Sequence, residues 1–460
     1  MIERTSMNLR PLLLAAAFGL GALQAQTPAK NVIFFLGDGM GPASTTAARI
    51  YKVGEAGLLT MDTLPVTARV KTFSKDAQTT DSAPSMSAYM TGVKMNNEVI
   101  SMSSETVASK PTADLTGTCT TGTPVTTLLE LAKAKGKAIG AVTTTRVTHA
   151  TPAATYAHVC HRDAENDIAA QAVPGGAGYN ASLKEGLDVL LGGGKKFFVP
   201  KTVAGGKRPD GRDLTAEFTR AGYTYLETRS ALNALDASAT GKLVGLFHMD
   251  HMDYELDRKN KALDQPSLAE MTAKAIEVLS KNANGYVLMV EGGRIDHALH
   301  GTNAKRVMED TVAFDEAIAR AMEKVDLSNT LIVVTADHDH TMVINGYARK
   351  GNPILDIVRD YKTGQPALDA DGHPYTALVF GNGSNRPDLR GDLVSGNADA
   401  THVLHDDYLQ EAALRLGPPG SETHGGGDVK LFAAGAGSES FKGTFENIKV
   451  FSLVKTAAGL

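Results

Sequence analysis

The sequence predicts an α/β domain, a mostly parallel sheet with helices packed on both faces. Two observations carry this expectation. The runs Asn31-Val32-Ile33-Phe34-Phe35-Leu36, Tyr286-Val287-Leu288-Met289-Val290 and Thr330-Leu331-Ile332-Val333-Val334-Thr335 are short, continuous, apolar and followed by turn residues, the pattern of strands buried on both faces of a parallel sheet. Such runs alternate along the chain with longer stretches read as helices, and that alternation argues for one doubly wound, three-layer αβα sandwich.

Taken in order, strands are expected near 31–36, 138–143, 187–191, 243–247, 286–290, 330–335 and 429–434, and helices near 43–53, 82–91, 124–135, 266–281 and 303–324. Pro124 suits the first turn of the third helix and Gly136 its end. Gly192-Gly193-Gly194 reads as a turn after the strand Asp188-Val189-Leu190-Leu191, because no Gly-Lys-Ser/Thr follows to make a phosphate loop. Two stretches fall outside the rhythm, about 196–240 and about 345–422, the second holding many Gly, Asp, Asn and Pro residues.

The strand ends carry the chemistry. Gly37-Asp38-Gly39, Glu291-Gly292-Gly293 and Ala336-Asp337-His338 each follow an apolar run, and in open α/β sheets the crevice beyond the carboxyl ends of the strands holds the ligand. Asp296 and His300 lie four apart, on one face of a helix. His424 sits in Glu422-Thr423-His424-Gly425-Gly426. Oxygen and imidazole donors without thiolate suit zinc in a catalytic site, and a set rich in carboxylate and hydroxyl oxygen suits magnesium, so two or three metals are expected. Thr80-Asp81-Ser82-Ala83-Pro84-Ser85 is shaped as a nucleophile segment, with Ser82 at a helix start. His158, His161, His248, His251, His340, His373, His402 and His405 match no ligand position and are read as structural or solvent-exposed.

Gly37-Asp38-Gly39-Met40-Gly41, Asp81-Ser82-Ala83, Thr91-Gly92-Val93-Lys94, His149-Ala150-Thr151-Pro152-Ala153, Glu291-Gly292-Gly293-Arg294-Ile295-Asp296-His297, Thr335-Ala336-Asp337-His338 and Thr423-His424-Gly425-Gly426 occur in this order. The set resembles the alkaline phosphatases from about residue 30 to about residue 450. The resemblance implies a three-layer αβα sandwich with a crown-like insertion, at about 345–422, near the active-site rim. It implies Ser82 as the nucleophile that forms a phosphoseryl intermediate and Arg162 as a clamp on two phosphate oxygens. One zinc would take Asp296, His300 and His424; a second would take Asp38, Asp337 and His338, joined by Ser82 during turnover; magnesium would take Asp38, Thr151 and Glu291. His149 and His297 would stand beside these groups, a pair like that of the animal enzymes, associated in the family with weaker magnesium retention and a more alkaline optimum. The substrates implied are phosphate monoesters, with inorganic phosphate as product, and the assembly implied is a homodimer. Sulfatases share the superfamily fold, but their C/S-x-P-x-R pattern finds Met86 where the arginine belongs, which argues against that branch.

Composition agrees. A 460-residue chain, 42% hydrophobic with 46 glycines, can bury a sizeable core, and a net charge of −5 gives no reason to expect nucleic acid. Attraction for phosphate must therefore be local. Arg4 and Arg10 precede the apolar run Leu12–Leu23, too short to span a bilayer comfortably, so residues 1–25 are expected to be a signal peptide and residues 26–460 an exported catalytic domain, periplasmic or secreted, without a membrane anchor. Cys119 and Cys160 are the only cysteines; in an exported chain they either form a bridge worth about 3–4 kcal/mol or remain two buried thiols.

Overall fold

The structure, a computed structural model, describes residues 28–460, so the expected signal peptide lies outside the described residues. Its strands in chain order are β1 (Asn31–Gly37), β2 (Val66–Lys71), β3 (Ala138–Arg146), β4 (Val189–Gly193), β5 (Tyr223–Leu226), β6 (Lys242–Leu246), β7 (Tyr286–Gly292), β8 (Thr330–Ala336), β9 (Asp339–His340), β10 (Met342–Ile344), β11 (Leu378–Gly383), β12 (Ala412–Arg415), β13 (His424–Gly425), β14 (Val429–Gly435) and β15 (Gly443–Glu446). Ten of them form one sheet in the order β15-β2-β14-β8-β1-β7-β3-β4-β6-β5.

The centre of this sheet is where the sequence is most apolar. Every residue of β7 and β8 is buried, as is all of β1 except Asn31. Parallel strands covered by helices on both faces need apolar side chains in both directions, which is why these runs do not alternate. The pairings from β8 through β1, β7, β3, β4 and β6 to β5 are all parallel, whereas β14 runs antiparallel to both β8 and β2. Helices Pro42–Val53, Ser82–Thr91, Leu268–Leu279 and Ala304–Lys324 lie close to their expected bounds. The helix Leu268–Leu279 begins with a capping box between Ser267 and Glu270, a local signal that sets the start independently of packing.

Three expectations are corrected. The third helix starts at Leu128, not near Pro124, because Thr127 and Glu130 form a capping box there, while Pro124 bridges to Met102 in the preceding loop. Gly136 does follow the helix, with φ +73°, a left-handed conformation that glycine adopts without strain. The stretch 196–240 is not wholly outside the sheet, since its Tyr223–Leu226 adds as the parallel edge strand β5 beside β6. Strands β2 and β15 were also not foreseen; both are short and partly exposed, and their place is decided by pairing with β14 and with each other.

The segment 345–422 is largely irregular, with β11 and β12 joining β10 in a separate three-stranded sheet. It reaches the site through Asn382, whose side chain accepts from the Thr423 N–H and donates to the Thr423 hydroxyl, both at 2.9 Å, one residue before His424.

Cys119 and Cys160 are joined in a disulfide, with their Cα atoms 5.4 Å apart. Thiol counting under denaturing, non-reducing conditions is expected to find no free thiol. Replacing both cysteines by serine should lower stability by about 3–4 kcal/mol, the cost of reopening a loop of this length in the unfolded chain, read as a lower denaturant midpoint.

Candidate active site

Register assembles the site. Leu36 of β1 lies level with Glu291 of β7 and with Thr335 of β8, so Asp38 and Asp337, each just past its strand, come side by side with Glu291 at the carboxyl edge. Adjacent strands are about 4.8 Å apart, which is why residues nearly 300 positions apart can share a ligand. The helix Ser82–Thr91 is pinned to the same edge: Ser85 Oγ donates to the Asp337 carbonyl at 2.7 Å and the Tyr89 hydroxyl to the Ala336 carbonyl at 2.8 Å. All ten residues of this helix are buried, and Ser82 therefore arrives at the strand ends with little freedom.

Ser82 Oγ lies 3.2 Å from His338 Nε2 and 3.5 Å from Asp38 Oδ1. His338 Nε2 is 3.3 Å from Asp38 Oδ1 and 3.5 Å from Asp337 Oδ2. A second group repeats the spacing: His300 Nε2 is 3.3 Å from Asp296 Oδ1 and 3.2 Å from His424 Nε2, and His424 Nε2 is 3.5 Å from Asp296 Oδ1. Ligand atoms held about 2.0–2.2 Å from one tetrahedral zinc are about 3.3–3.6 Å from one another. Both groups have the donor types and the spacing that such an ion requires.

A third group is marked by missing partners. Asp38 Oδ2, Thr151 Oγ1 and Glu291 Oε1 are all buried and accept or donate no hydrogen bond. Leaving one buried polar group unpaired costs about 1–3 kcal/mol, so three in one place fit a hard cation that takes oxygen ligands. His149 lies with Asp38 and Glu291 in this group, its Nδ1 likewise buried without a partner.

Electrostatics points the same way. Burial, then Asp337, Asp296 and Glu291, pushes the Asp38 carboxyl well above the usual carboxylate range. Burial raises Glu291 to about 7, against the pull of Thr143 and Thr145. Asp296 is raised by burial, but His300 and His340 outweigh it and hold its carboxyl well below the usual value. Carboxylates this close cannot all ionise unless cations neutralise them.

Arg162 stands at the mouth. Its Nη1 donates to Asp81 and its Nη2 lies 2.9 Å from His149 Nε2. Asp81 is the N-cap of the Ser82–Thr91 helix yet makes no side-chain cap; its carboxylate instead holds Arg162 and accepts from the Glu98 N–H at 2.9 Å. His297 packs edge-on against His149, with ring centroids 5.3 Å apart.

The reading of His340 as a residue apart from the site is corrected. His340 Nε2 lies 2.8 Å from Asp296 Oδ1 and its Nδ1 2.6 Å from Glu422 Oε2. Flanked by two buried carboxylates, it is held protonated, raised to about 10 once their charges overcome burial. Alternation could have found it: His338 and His340 are two apart, as are Glu422 and His424, and β9 pairs His340 directly with His424. Gly39 makes the room, because a Cβ there, at φ +64°, would sit 2.5 Å from the His340 ring. His251 is likewise no surface residue; its ring packs 4.2 Å from that of His297. His158, by contrast, is structural, paired at 2.9 Å with Glu130.

This fold, with clusters able to hold metal ions at the strand ends, is that of a metal-dependent α/β hydrolase. The alkaline phosphatase family model matches residues 29–460. The tissue-nonspecific alkaline phosphatase of Gallus gallus is 40% identical over 437 residues, covering 89% of this chain and 80% of that one, and the alkaline phosphatase of Gadus morhua is 39% identical over 92% and 91%. The solved Thermus thermophilus alkaline phosphatase superposes with a TM-score of 0.68 at 26% identity, covering 98% of this chain and 96% of that one. The enzyme from the Antarctic bacterium TAB5, at 23% identity, 94% and 99% coverage and a TM-score of 0.64, shares the fold. The chain belongs to the alkaline phosphatase family, and it is a phosphoric monoester hydrolase with alkaline phosphatase activity.

His340→Ala would leave Asp296 and Glu422 buried without their shared partner. Removing one member of a buried charge pair costs about 3–5 kcal/mol, so a lower Tm and a lower content of bound divalent metal per chain are expected. Parent values of both would show that the Asp296–His340–Glu422 contact carries neither.

Proposed function

We propose that this chain is an exported enzyme that hydrolyses phosphate monoesters to an alcohol and inorganic phosphate through a phosphoseryl intermediate on Ser82, in a site for two zinc ions and one magnesium. The observation that carries the reading is the Ser82 hydroxyl, buried at a helix start and spaced from His338 and Asp38 as a metal ligand would be. In this reading Asp296, His300 and His424 hold one zinc, Asp38, Asp337 and His338 the other, and Asp38, Thr151 and Glu291 the magnesium. Divalent ions there supply Lewis acidity, making the serine oxygen nucleophilic and stabilising the attacking and leaving oxygens of an in-line displacement.

The protein's own groups do the positioning. Ser82 Oγ forms a bond to phosphorus as the ester oxygen departs and takes up a proton; water then cleaves the phosphoserine and restores the hydroxyl. The transition state of phosphoryl transfer is loose and highly charged, so placement and electrostatics carry most of the acceleration. Arg162 supplies a planar fork for two phosphate oxygens, and its contacts to Asp81 and His149 set the plane of that fork. With a net charge of −5, the chain offers no long-range attraction for an anion, which leaves recognition to the metals and this arginine.

The same reading extends to a homodimer. Among the described residues no helix is long and apolar enough to cross a membrane. Val343 and Ile344 on β10 and Leu414 on β12 are exposed, apolar surface that a second copy would cover.

The purified mature protein is expected to hydrolyse p-nitrophenyl phosphate at about pH 8–10, to lose activity on chelation and to regain it with zinc and magnesium together. Ser82→Ala should abolish the burst of phosphoenzyme. Activity unaffected by chelation, or retained by Ser82→Ala, would overturn the mechanism, and preference for the bis-ester or the sulfate would overturn the substrate class. Arg162→Lys keeps the charge but loses the fork, and a fall in kcat/KM of about tenfold or more is expected, with weaker inhibition by phosphate. Sedimentation at micromolar concentration tests the dimer.

A further inference from the structure

Arg294 opens the short helix Arg294–His300 and is three residues before His297, a spacing that puts both side chains on one face. Several contacts fix it. Its backbone N–H donates to Thr144 Oγ1 at 3.2 Å, its guanidinium carbon lies 3.7 Å above the centroid of the Tyr254 ring, and its Nη1 is 2.8 Å from His297 Nδ1. Asp310, buried on the neighbouring helix Ala304–Lys324, has a carboxyl that burial raises to about 8 against the pull of the Arg294 charge, so the guanidinium has a carboxyl neighbour as well as an aromatic platform.

An arginine side chain has only donors and does not give up its proton. His297 Nδ1 must therefore accept, because an N–H there would oppose an N–H of Arg294. The ring then carries its single proton on Nε2, and Nε2 is the edge that faces the site, 4.0 Å from Asp296 Oδ2. The ring cannot turn over freely, since His251 packs at 4.2 Å and His149 at 5.3 Å between centroids, both edge to face. A flat, stacked guanidinium is what the Tyr254 face suits, and an ammonium would meet it less well.

We propose that Arg294 is a positioning residue for the phosphatase reaction: its hydrogen bond to Nδ1 confines His297 to the Nε2–H tautomer, so that His297 offers the phosphate pocket a donor and not an acceptor. This rests on the proposed function: His297 packs against His149, whose Nε2 lies 2.9 Å from the proposed phosphate clamp Arg162, which sets the His297 ring beside the phosphate pocket in that reading. A phosphate dianion accepts hydrogen bonds, so the wrong tautomer would set a nitrogen lone pair against an anionic oxygen. Arg294 therefore acts on the substrate through His297, without touching it.

The test joins a spectrum to kinetics, on the mature protein loaded with zinc and magnesium. Histidine 15N spectra, with the His297 signals assigned by their loss in His297→Gln, should show the Nε2–H tautomer alone in the parent and a mixture in Arg294→Met. In steady-state hydrolysis of p-nitrophenyl phosphate, Arg294→Met and His297→Gln should each lower kcat/KM about tenfold, and the double variant should be no worse than the poorer single, since the two act as one unit. Arg294→Lys, which keeps a donor, should hold the tautomer and recover at least half of the parent kcat/KM. An unchanged tautomer in Arg294→Met, or losses that multiply in the double variant, would overturn the proposal. If Arg294→Met does not fold, Arg294→Gln takes its place, expected to keep a donor to Nδ1 and hence the tautomer; a mixed tautomer in a folded Arg294→Gln that keeps parent kinetics would also overturn it. The spectrum separates this inference from the reading it builds on: a parent inactive on phosphate esters would sink the function, while the tautomer would still report on the Arg294–His297 contact.

Discussion

Four carboxylates, Asp38, Glu291, Asp296 and Asp337, are buried together at the carboxyl edge of three neighbouring strands, and the surrounding structure is arranged around their charge. Isolated carboxylates do not remain ionised in such a place; they take up protons or acquire cations. Here the cationic and imidazole partners arrive from distant parts of the chain: His300 from the helix after β7, His338 from the turn after β8, His340 from β9 and His424 from β13. The two groups of ligand atoms, one with His338 3.3 and 3.5 Å from its two carboxylates and one with its three atoms 3.2 to 3.5 Å apart, and the three oxygens without partners are the same charge problem answered in two ways, one with nitrogen donors and one with oxygen alone.

Holding so much charge at close quarters requires a stiff frame. The Ser82–Thr91 helix is sealed in the core and hydrogen-bonded to the end of β8. Arg162 is held by a closed circuit: Asp81 takes its guanidinium and the Glu98 N–H, and the Glu98 carbonyl accepts from the Arg162 N–H at 2.8 Å. The disulfide at Cys160, two residues away, ties the same segment to the loop carrying Cys119. A planar guanidinium loses a two-point grip on any ligand if it swings by an ångström, and this circuit limits that motion. Ordering these groups before substrate arrives also removes their entropy cost from the binding step.

Much of the centre was legible in the sequence because its signals are local. Apolar runs ending in Asp38, Glu291 and Asp337 announce buried strands and the side on which their acids emerge; Asp296 and His300 share a face by helical spacing; Gly136 marks a helix end. The edges were less legible. Tyr223–Leu226 is too short and too exposed to stand out from its polar surroundings, and it becomes a strand only because β6 presents an open edge. His340 was passed over because one histidine beside another ligand carries no signal of its own, and its role depends on Asp296 and Glu422, which come from 44 and 82 residues away. His251 and Arg294 are of the same kind, significant only through the ring of His297.

The sequence by itself determined the α/β class, the strand ends that bear the acids and the family, because each is written in side-chain type and short-range spacing. The tertiary structure alone decided which acids meet, how far apart the ligand atoms stand, that Asp81 serves Arg162 and not its own helix, and that His297 meets Arg294 through its Nδ1. Those are matters of strand register and of ångström-scale packing between segments far apart in the chain, and one residue of slip in a single strand would turn the same side chains to the other face.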